Sequence, residues 1–319
     1  MLTIWKGYPM IVTVTLNPTL DKMLSLPELN PGAFHRAKVV RQDLGGKGIN
    51  VSRALLALGI PSVLTGFLGG RTGQVMRAGL LETGLDVRFI EAPGETRQKL
   101  TLLDESRDQY TEINESGPVI SDEKLMEMEE LVQDLASPGD LWAFCGSLPP
   151  GASEDTYARL IQMVHSRGAK AFLDTSGAAL KAGIEAPPFC IKPNSEEAVA
   201  LLDRPLVTDD DHLAAARRLQ AGGIPMVMLS RGEHGVILLF GEAAFKAVPP
   251  QVPARSPVGA GDSSVAGLLW ALSDQTSVAE MAARAVACGS AAAMQEGTGV
   301  GDRSLVESLL SQVTVTSLT

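Results

Sequence analysis

The chain has 319 residues, of which 45% are hydrophobic and 20% charged, and its formal net charge is −10. Such a composition describes a globular protein whose core needs no disulfide or metal support. The acidic balance argues against nucleic-acid binding, and no apolar stretch approaches the roughly 20 residues of a membrane helix.

The opening "MLTIWKGYP" lacks a signal peptide's charged start and long apolar middle, and reads as an extension, 1–9, ahead of a strand that begins at Met10. From there strands are expected at 10–16 ("MIVTVTL"), 62–69, 140–146, 170–176, 189–193 and 226–230. Helical patterns separate them: "NVSRALLALG", "SDEKLMEMEELVQDL", "SEDTYARLIQMVHSRG" and "DDDHLAAARRLQAGG". Ser121 and Ser153 read as N-caps, Gly59 and Gly168 as helix stops. This alternation predicts an α/β fold with a mostly parallel sheet covered on both faces. Two segments break the rhythm. Residues 18–44 hold Pro18, Pro27 and Pro31 without a helical period, and 95–117 alternate apolar and polar residues around a polar turn. Together they predict a small β-sheet lid over the ligand crevice of a single domain, 10–319. Cys145, Cys190 and Cys288 lie far apart without a CxxC pair, which fits buried thiols in a reducing cytoplasm.

In "SPVGAGDSSVAGLLWAL" (256–272) a helix begins near Ala260. Its first N–H groups lack internal partners and carry the positive end of the helix dipole. Gly259 and Gly261 allow close approach, so the N–H groups of Gly259, Ala260 and Gly261 make an anion hole suited to a phosphoryl group. Asp262 has two readings: a helix cap, or the base that takes a proton from a hydroxyl attacking that group.

In "DLGGKGINVSRALLALG" (43–59) the glycines make a tight turn that brings the backbone near Gly46 to a polyol. Lys47 can hold an anion there and Asn50 can bond a hydroxyl from two sides; the other reading is a helix-leading turn with a solvated lysine. Asp21 follows the Asn17–Pro18 turn at the end of the first strand, where it suits either sugar hydroxyls or the turn itself. Arg97 in "GETRQ" suits phosphate through its planar fork, or is a surface arginine. In "CIKPNSEEA" Lys192, Asn194 and Glu197 lie where a strand passes into a helix, a place to organise triphosphate and Mg²⁺-bound waters. Ser230, Gly232 and Gly235 form a turn that can pass under a nucleotide. His35, His165, His212 and His234 show no metal-ligand spacing. Neither G-x-x-x-x-G-K-[ST] nor G-x-G-x-x-G occurs, which counts against a P-loop enzyme and a dinucleotide-dependent dehydrogenase.

In this order the stretches resemble the ribokinase-like PfkB family of carbohydrate kinases, over nearly the whole chain from Met10. "GGKGINVSRALLALG" is similar to the family's N-terminal signature and "VGAGDSS" to its C-terminal one. The resemblance implies a three-layer α/β/α ribokinase-like core with a β-sheet lid, and Asp262 as base over the 259–261 anion hole. "TLNPTLD", "GETR", "TEINESGP" and "CGSLPPG" further resemble the hexose-phosphate branch. That implies ATP-dependent phosphorylation of a ketohexose monophosphate: fructose 1-phosphate first, with tagatose 6-phosphate or fructose 6-phosphate as alternatives. By matching position Asp21, Gly46, Lys47, Asn50, Arg97 and Ser147 would hold the sugar phosphate. Lys192, Asn194, Glu197, Ser230, Gly232 and Gly235 would serve ATP and its Mg²⁺, the metal being reached through water near Glu197. The resemblance also implies a cytoplasmic homodimer paired through the lid, and allows a monovalent cation. A catalytically silent binding protein is the rival reading, which the presence together of Asp262, Lys47 and Arg97 argues against. Two departures stand out: His35, where the branch usually has Asn, and Ala292, where some relatives place Asn near the adenine.

Overall fold

A computed structural model describes residues 9–318; the expected extension, Pro9 apart, lies outside the described residues. The first strand, β1 (Ile11–Thr15), is buried along its whole length. Val12 and Val14 enter one core cluster and Ile11 the other, as a strand covered on both faces requires. The chain continues through β2 (Thr19–Leu26), β3 (Lys38–Gly45), α1 (Lys47–Ala57), β4 (Val63–Leu68) and α2 (Gly70–Glu82). Two short strands follow, β5 (Asp86–Val87) and β6 (Ile90–Glu91), and then the hairpin of β7 (Arg97–Asp104) and β8 (Gln109–Asn114). Regular alternation resumes with α3 (Asp122–Leu135), β9 (Leu141–Cys145), α4 (Thr156–Ser166), β10 (Lys170–Asp174), α5 (Gly177–Gly183) and β11 (Cys190–Ile191). Next come α6 (Ser195–Leu202), α7 (Asp209–Ala221), β12 (Met226–Ser230), β13 (Val236–Phe240) and β14 (Ala243–Val248). The chain closes with α8 (Ala260–Ser273), α9 (Val278–Ala293), α10 (Arg303–Leu310) and β15 (Thr314–Ser317).

The main sheet runs β15-β14-β13-β12-β11-β10-β9-β1-β4-β5, parallel from β12 to β5 and antiparallel beyond β12, with β6 also paired to β4. Helices α3 to α7 cover one face, packing Met128, Tyr157, Leu180 and Leu219 onto Trp142 and Leu173. Helices α1, α8 and α9 cover the other, with Leu55, Leu269 and Ala285 against Phe172 and Met228. The architecture is the expected three-layer α/β/α. Successive strands pass to opposite sides of β1, to β4 and then to β9, so the crevice opens at the C-terminal ends of these strands. The two irregular segments do form one separate sheet, β3-β2-β7-β8, and it begins directly after the turn that ends β1.

Several local expectations change. Strand 189–193 shrinks to two residues: Pro193 lacks a donor, while Lys192 still donates to the Leu173 carbonyl and the Pro193 carbonyl accepts from Ser230. The sheet also gains β13 to β15; the Ala-rich "AAFKAV" of β14 carries little strand signal. Ser121 caps α3 through the Lys124 N–H, but Ser153 is not a cap: Asp155 holds that position in α4, and the Ser153 carbonyl accepts from Thr156 in a preceding turn. Gly59 and Gly168 end their helices at positive φ. All three cysteines are buried and free. Among the described residues no helix is long and apolar enough to cross a membrane.

Candidate active site

Helix α1 starts at Lys47 because Gly46 takes φ 131° and turns the chain out of β3. A Cβ on Gly48 would overlap Thr15 Oγ1 and stand 3.1 Å from the Val14 carbonyl oxygen, so only glycine lets this helix start press onto β1. One turn on, Asn50 Nδ2 donates to Asp262 Oδ2 at 2.8 Å. The two motifs that stand far apart in sequence therefore meet.

Asp262 is not the cap of α8. Gly259 holds that position in the left-handed region, φ 80°, and Asp262 sits in the first turn with its carboxylate turned to Asn50. The Ala260 N–H donates to the Pro257 carbonyl at 3.3 Å, so that part of the expected anion hole already has a partner. A Cβ on Gly261 would meet Lys192 Nζ at 3.6 Å, which places an ammonium beside the helix start. The start of α8, a cation and a carboxylate thus converge.

Asp174, at the C-terminal end of β10, ties the cluster together. Its buried Oδ1 accepts from Lys47 Nζ at 2.8 Å and lies 3.3 Å from Lys192 Nζ. Burial works against its charge, but Lys192 and Lys47 outweigh this and hold the carboxyl below its ordinary range. Burial likewise disfavours the Lys47 ammonium, and Asp174 more than offsets it, so that this lysine stays charged. At Asp262 burial, and then the negative charge of Asp174, push the carboxyl up to about 6, against the Asn50 hydrogen bond and both lysines. Sequence reading missed Asp174; an acid ending the strand "KAFLD" was its only signal.

On the lid side, a Cβ on Gly45 would lie 2.7 Å from Asp21 Oδ2, so this carboxylate rests on the glycine turn. Burial raises the Asp21 carboxyl from its usual range, opposed by Lys99 and Arg97. Arg97 Nε donates to the Asn17 carbonyl at 3.2 Å. Asn17 Nδ2 in turn reaches Ser147 Oγ at 3.4 Å and the Ser116 carbonyl at 3.2 Å. Asn17, which reads in sequence only as a turn residue, thus links two expected sugar-phosphate residues.

The nucleotide-side residues form a second group. Asn194 and Glu197 make a capping box at the start of α6: Asn194 Oδ1 accepts from the Glu197 N–H at 2.7 Å, and Glu197 Oε2 from the Asn194 N–H at 2.9 Å. The Ser230 N–H donates to the Pro193 carbonyl, bringing the end of β12 beside them. Gly232, at φ 58°, opens a short 3₁₀ turn, and no atom lies within 4 Å of where a Cβ would stand on it, leaving room above the turn. Gly235 has a structural reason to be glycine, since a Cβ there would collide with the Ala247 carbonyl oxygen. His35 bonds Asn30 within its own loop, and Ala292 is buried in α9. The donor set fits Mg²⁺, which takes oxygen ligands: Glu197 offers a carboxylate, and Asp174 Oδ2 is buried without a hydrogen-bond partner among the described residues.

A carboxylate of raised pKa beside a helix N-terminus, with two lysines at the C-terminal edge of a parallel sheet, meets the needs of phosphoryl transfer to a hydroxyl. Residues 14–304 match the pfkB family carbohydrate kinases, and the chain belongs to that family: it is a sugar kinase. It is 36% identical over 311 residues to 1-phosphofructokinase of Bacillus subtilis, spanning 97% of this chain and 100% of the relative. The 1-phosphofructokinase of Rhodobacter capsulatus is 35% identical, covering 97% and 98% of the two chains. Among solved structures, Escherichia coli phosphofructokinase-2 in complex with potassium superposes with a TM-score of 0.90 at 31% identity, over 95% of this chain and 99% of that one.

Proposed function

We propose that this kinase transfers the γ-phosphoryl group of ATP to the 6-hydroxyl of fructose 1-phosphate, giving fructose 1,6-bisphosphate and ADP. The observation that carries the reading is the Asn50–Asp262 contact, which sets a carboxylate of pKa about 6 beside the start of α8. Asp262 takes the hydroxyl proton as the oxygen attacks the γ-phosphorus and the bond to ADP breaks. The free N–H groups of the 259–261 turn, with Lys192, offset charge on the moving group. Lys47 and Arg97 hold the phosphate already on the sugar, while Asp21, Gly46, Asn50 and Ser147 orient its hydroxyls. Lys192, Asn194, Glu197, Ser230 and Gly232 serve the nucleotide, and Gly235 shapes the turn beneath it. Mg²⁺ bound with ATP would reduce repulsion between the phosphates and the acceptor oxygen.

The names of the Bacillus and Rhodobacter relatives support fructose 1-phosphate. A second reading, fructose 6-phosphate, is favoured by an Escherichia coli phosphofructokinase-2 relative solved with that sugar; tagatose 6-phosphate is the third. Potassium in another structure of the same relative supports a monovalent-cation requirement. Exposed Val39, Tyr110 and Ile113 on the lid support a dimer paired through it. Coupled ADP release over fructose 1-phosphate, fructose 6-phosphate, tagatose 6-phosphate and unphosphorylated ketohexoses tests the reading. The highest kcat/KM falls on fructose 1-phosphate; no turnover of any phosphorylated ketohexose rejects the proposal.

A further inference from the structure

We infer that Lys99 is a further phosphate-binding residue of the acceptor subsite, held in reserve on Glu112 until the sugar phosphate arrives. The inference rests on the ketohexose-phosphate reading above. Strands β2 and β7 run parallel with Thr19 opposite Arg97 and Asp21 opposite Lys99. Side chains alternate along a strand, so Asp21, Arg97 and Lys99 share one face of the lid. Arg97 and Lys99 lie two residues apart on that face, roughly 7 Å, a gap that a phosphate between a guanidinium and a flexible ammonium can bridge.

The charge on this face calls for a second cation. Asp43 and Asp21 stand side by side in the lid, and Asp43 is held by Arg41. Lys47 stands on the glycine turn, outside this row, and is already ion-paired to Asp174, so on the lid face itself a phosphate dianion at Arg97 would meet the Asp21 carboxylate with a single positive charge between them. Lys99 is the other cation of the row. Its effect already reaches Asp21, where it is the largest influence opposing burial.

The ammonium is free to change partners. Lys99 Nζ lies 2.7 Å from Glu112 Oε1, diagonally across to β8, whose residues are all exposed. The Glu112 side chain is 49% exposed against 20% for Lys99. An ion pair to a carboxylate in solvent contributes little, so a phosphate dianion held at the same time by Arg97 displaces it readily.

The test uses steady-state kinetics of the full chain with the preferred ketohexose phosphate. Lys99→Met raises KM for the sugar phosphate about tenfold or more, with kcat and KM for ATP moved by less than about twofold. Lys99→Arg restores KM. Glu112→Gln frees the ammonium without removing it and lowers KM for the sugar phosphate. A purely structural ion pair gives a different pattern, in which both neutral variants change thermal stability alike and leave KM alone; that result overturns the inference. If Lys99→Met does not fold, Glu112→Gln decides: a lower KM supports the role, and an unchanged or higher KM overturns it. Wild-type protein that turns over no ketohexose phosphate instead refutes the functional reading, and this inference with it.

Discussion

Asn50 and Asp262, 212 positions apart, share a 2.8 Å hydrogen bond that joins the start of α1 to the start of α8. The amide occupies Oδ2, and in the proposed mechanism Oδ1 takes the substrate proton. Asp262→Asn preserves shape and the partner of Asn50 while abolishing the base. Turnover falls by about 10²-fold or more, with KM for ATP nearly unchanged, in steady-state assays. Near-normal kcat in this variant removes Asp262 from the role.

As the proposed base, Asp262 sets the acid side of the pH profile. Its carboxyl titrates at about 6, so kcat/KM rises with one-proton dependence through pH 6 and then levels. Stability moves the opposite way. The folded-state pKa lies above the ordinary 3.8, so this group's contribution is fully present below pH 3.8 and is lost as pH rises through about 6. At neutral pH Asp262→Asn is therefore more stable than wild type, by on the order of 2 kcal/mol. Denaturant titrations of both proteins at pH 7 and pH 4 check this, the difference narrowing at the lower pH.

Asp174→Asn separates the two lysines from their shared anion. It removes the negative charge that helps raise Asp262, so the acid limb of kcat/KM shifts to lower pH. It also takes from Lys192, with a side chain only 8% exposed, its ion-pair partner. Loss of one partner from a buried pair costs about 3 kcal/mol, seen as a lower midpoint in denaturant. An unmoved acid limb removes Asp174 from the electrostatics of the base.

Gly48→Ala puts a methyl group against Thr15 Oγ1 and the Val14 carbonyl. The start of α1 must lift from β1, at a cost of about 1–3 kcal/mol. The lift carries Asn50 away from Asp262, so kcat falls together with Tm. Gly59→Ala, in open space at the other end of the same helix, lowers Tm through its positive φ but leaves kcat unchanged.

Legibility in sequence divides by the range of the interaction. The stops at Gly59 and Gly168 and the glycine turn before Lys47 are local, and the structure has them where the residues place them. Asp262 read alone left capping and catalysis open; the position of Gly259 as cap removes the first reading, and the reach of Asn50 supports the proposed role as base. Gly235 read as a nucleotide turn, yet its nearest constraint is Ala247 on the neighbouring strand. Ser153 failed as a cap because a competing turn delays α4 to Thr156.

The layered α/β core, the lid segments and two glycine-led helix starts could be read from the residues alone, because each follows from spacing and backbone freedom within a few turns of chain. The folded chain was needed to show that Asp174 stands between Lys47 and Lys192 and that Asn17 links Arg97 to Ser147. The same holds for Asp262, buried deeply enough for its pKa to reach about 6. Those relationships depend on strand order. Placing β10 between β9 and β11 brings one carboxylate within reach of two lysines from opposite parts of the chain, and burial there makes each charge depend on its neighbours.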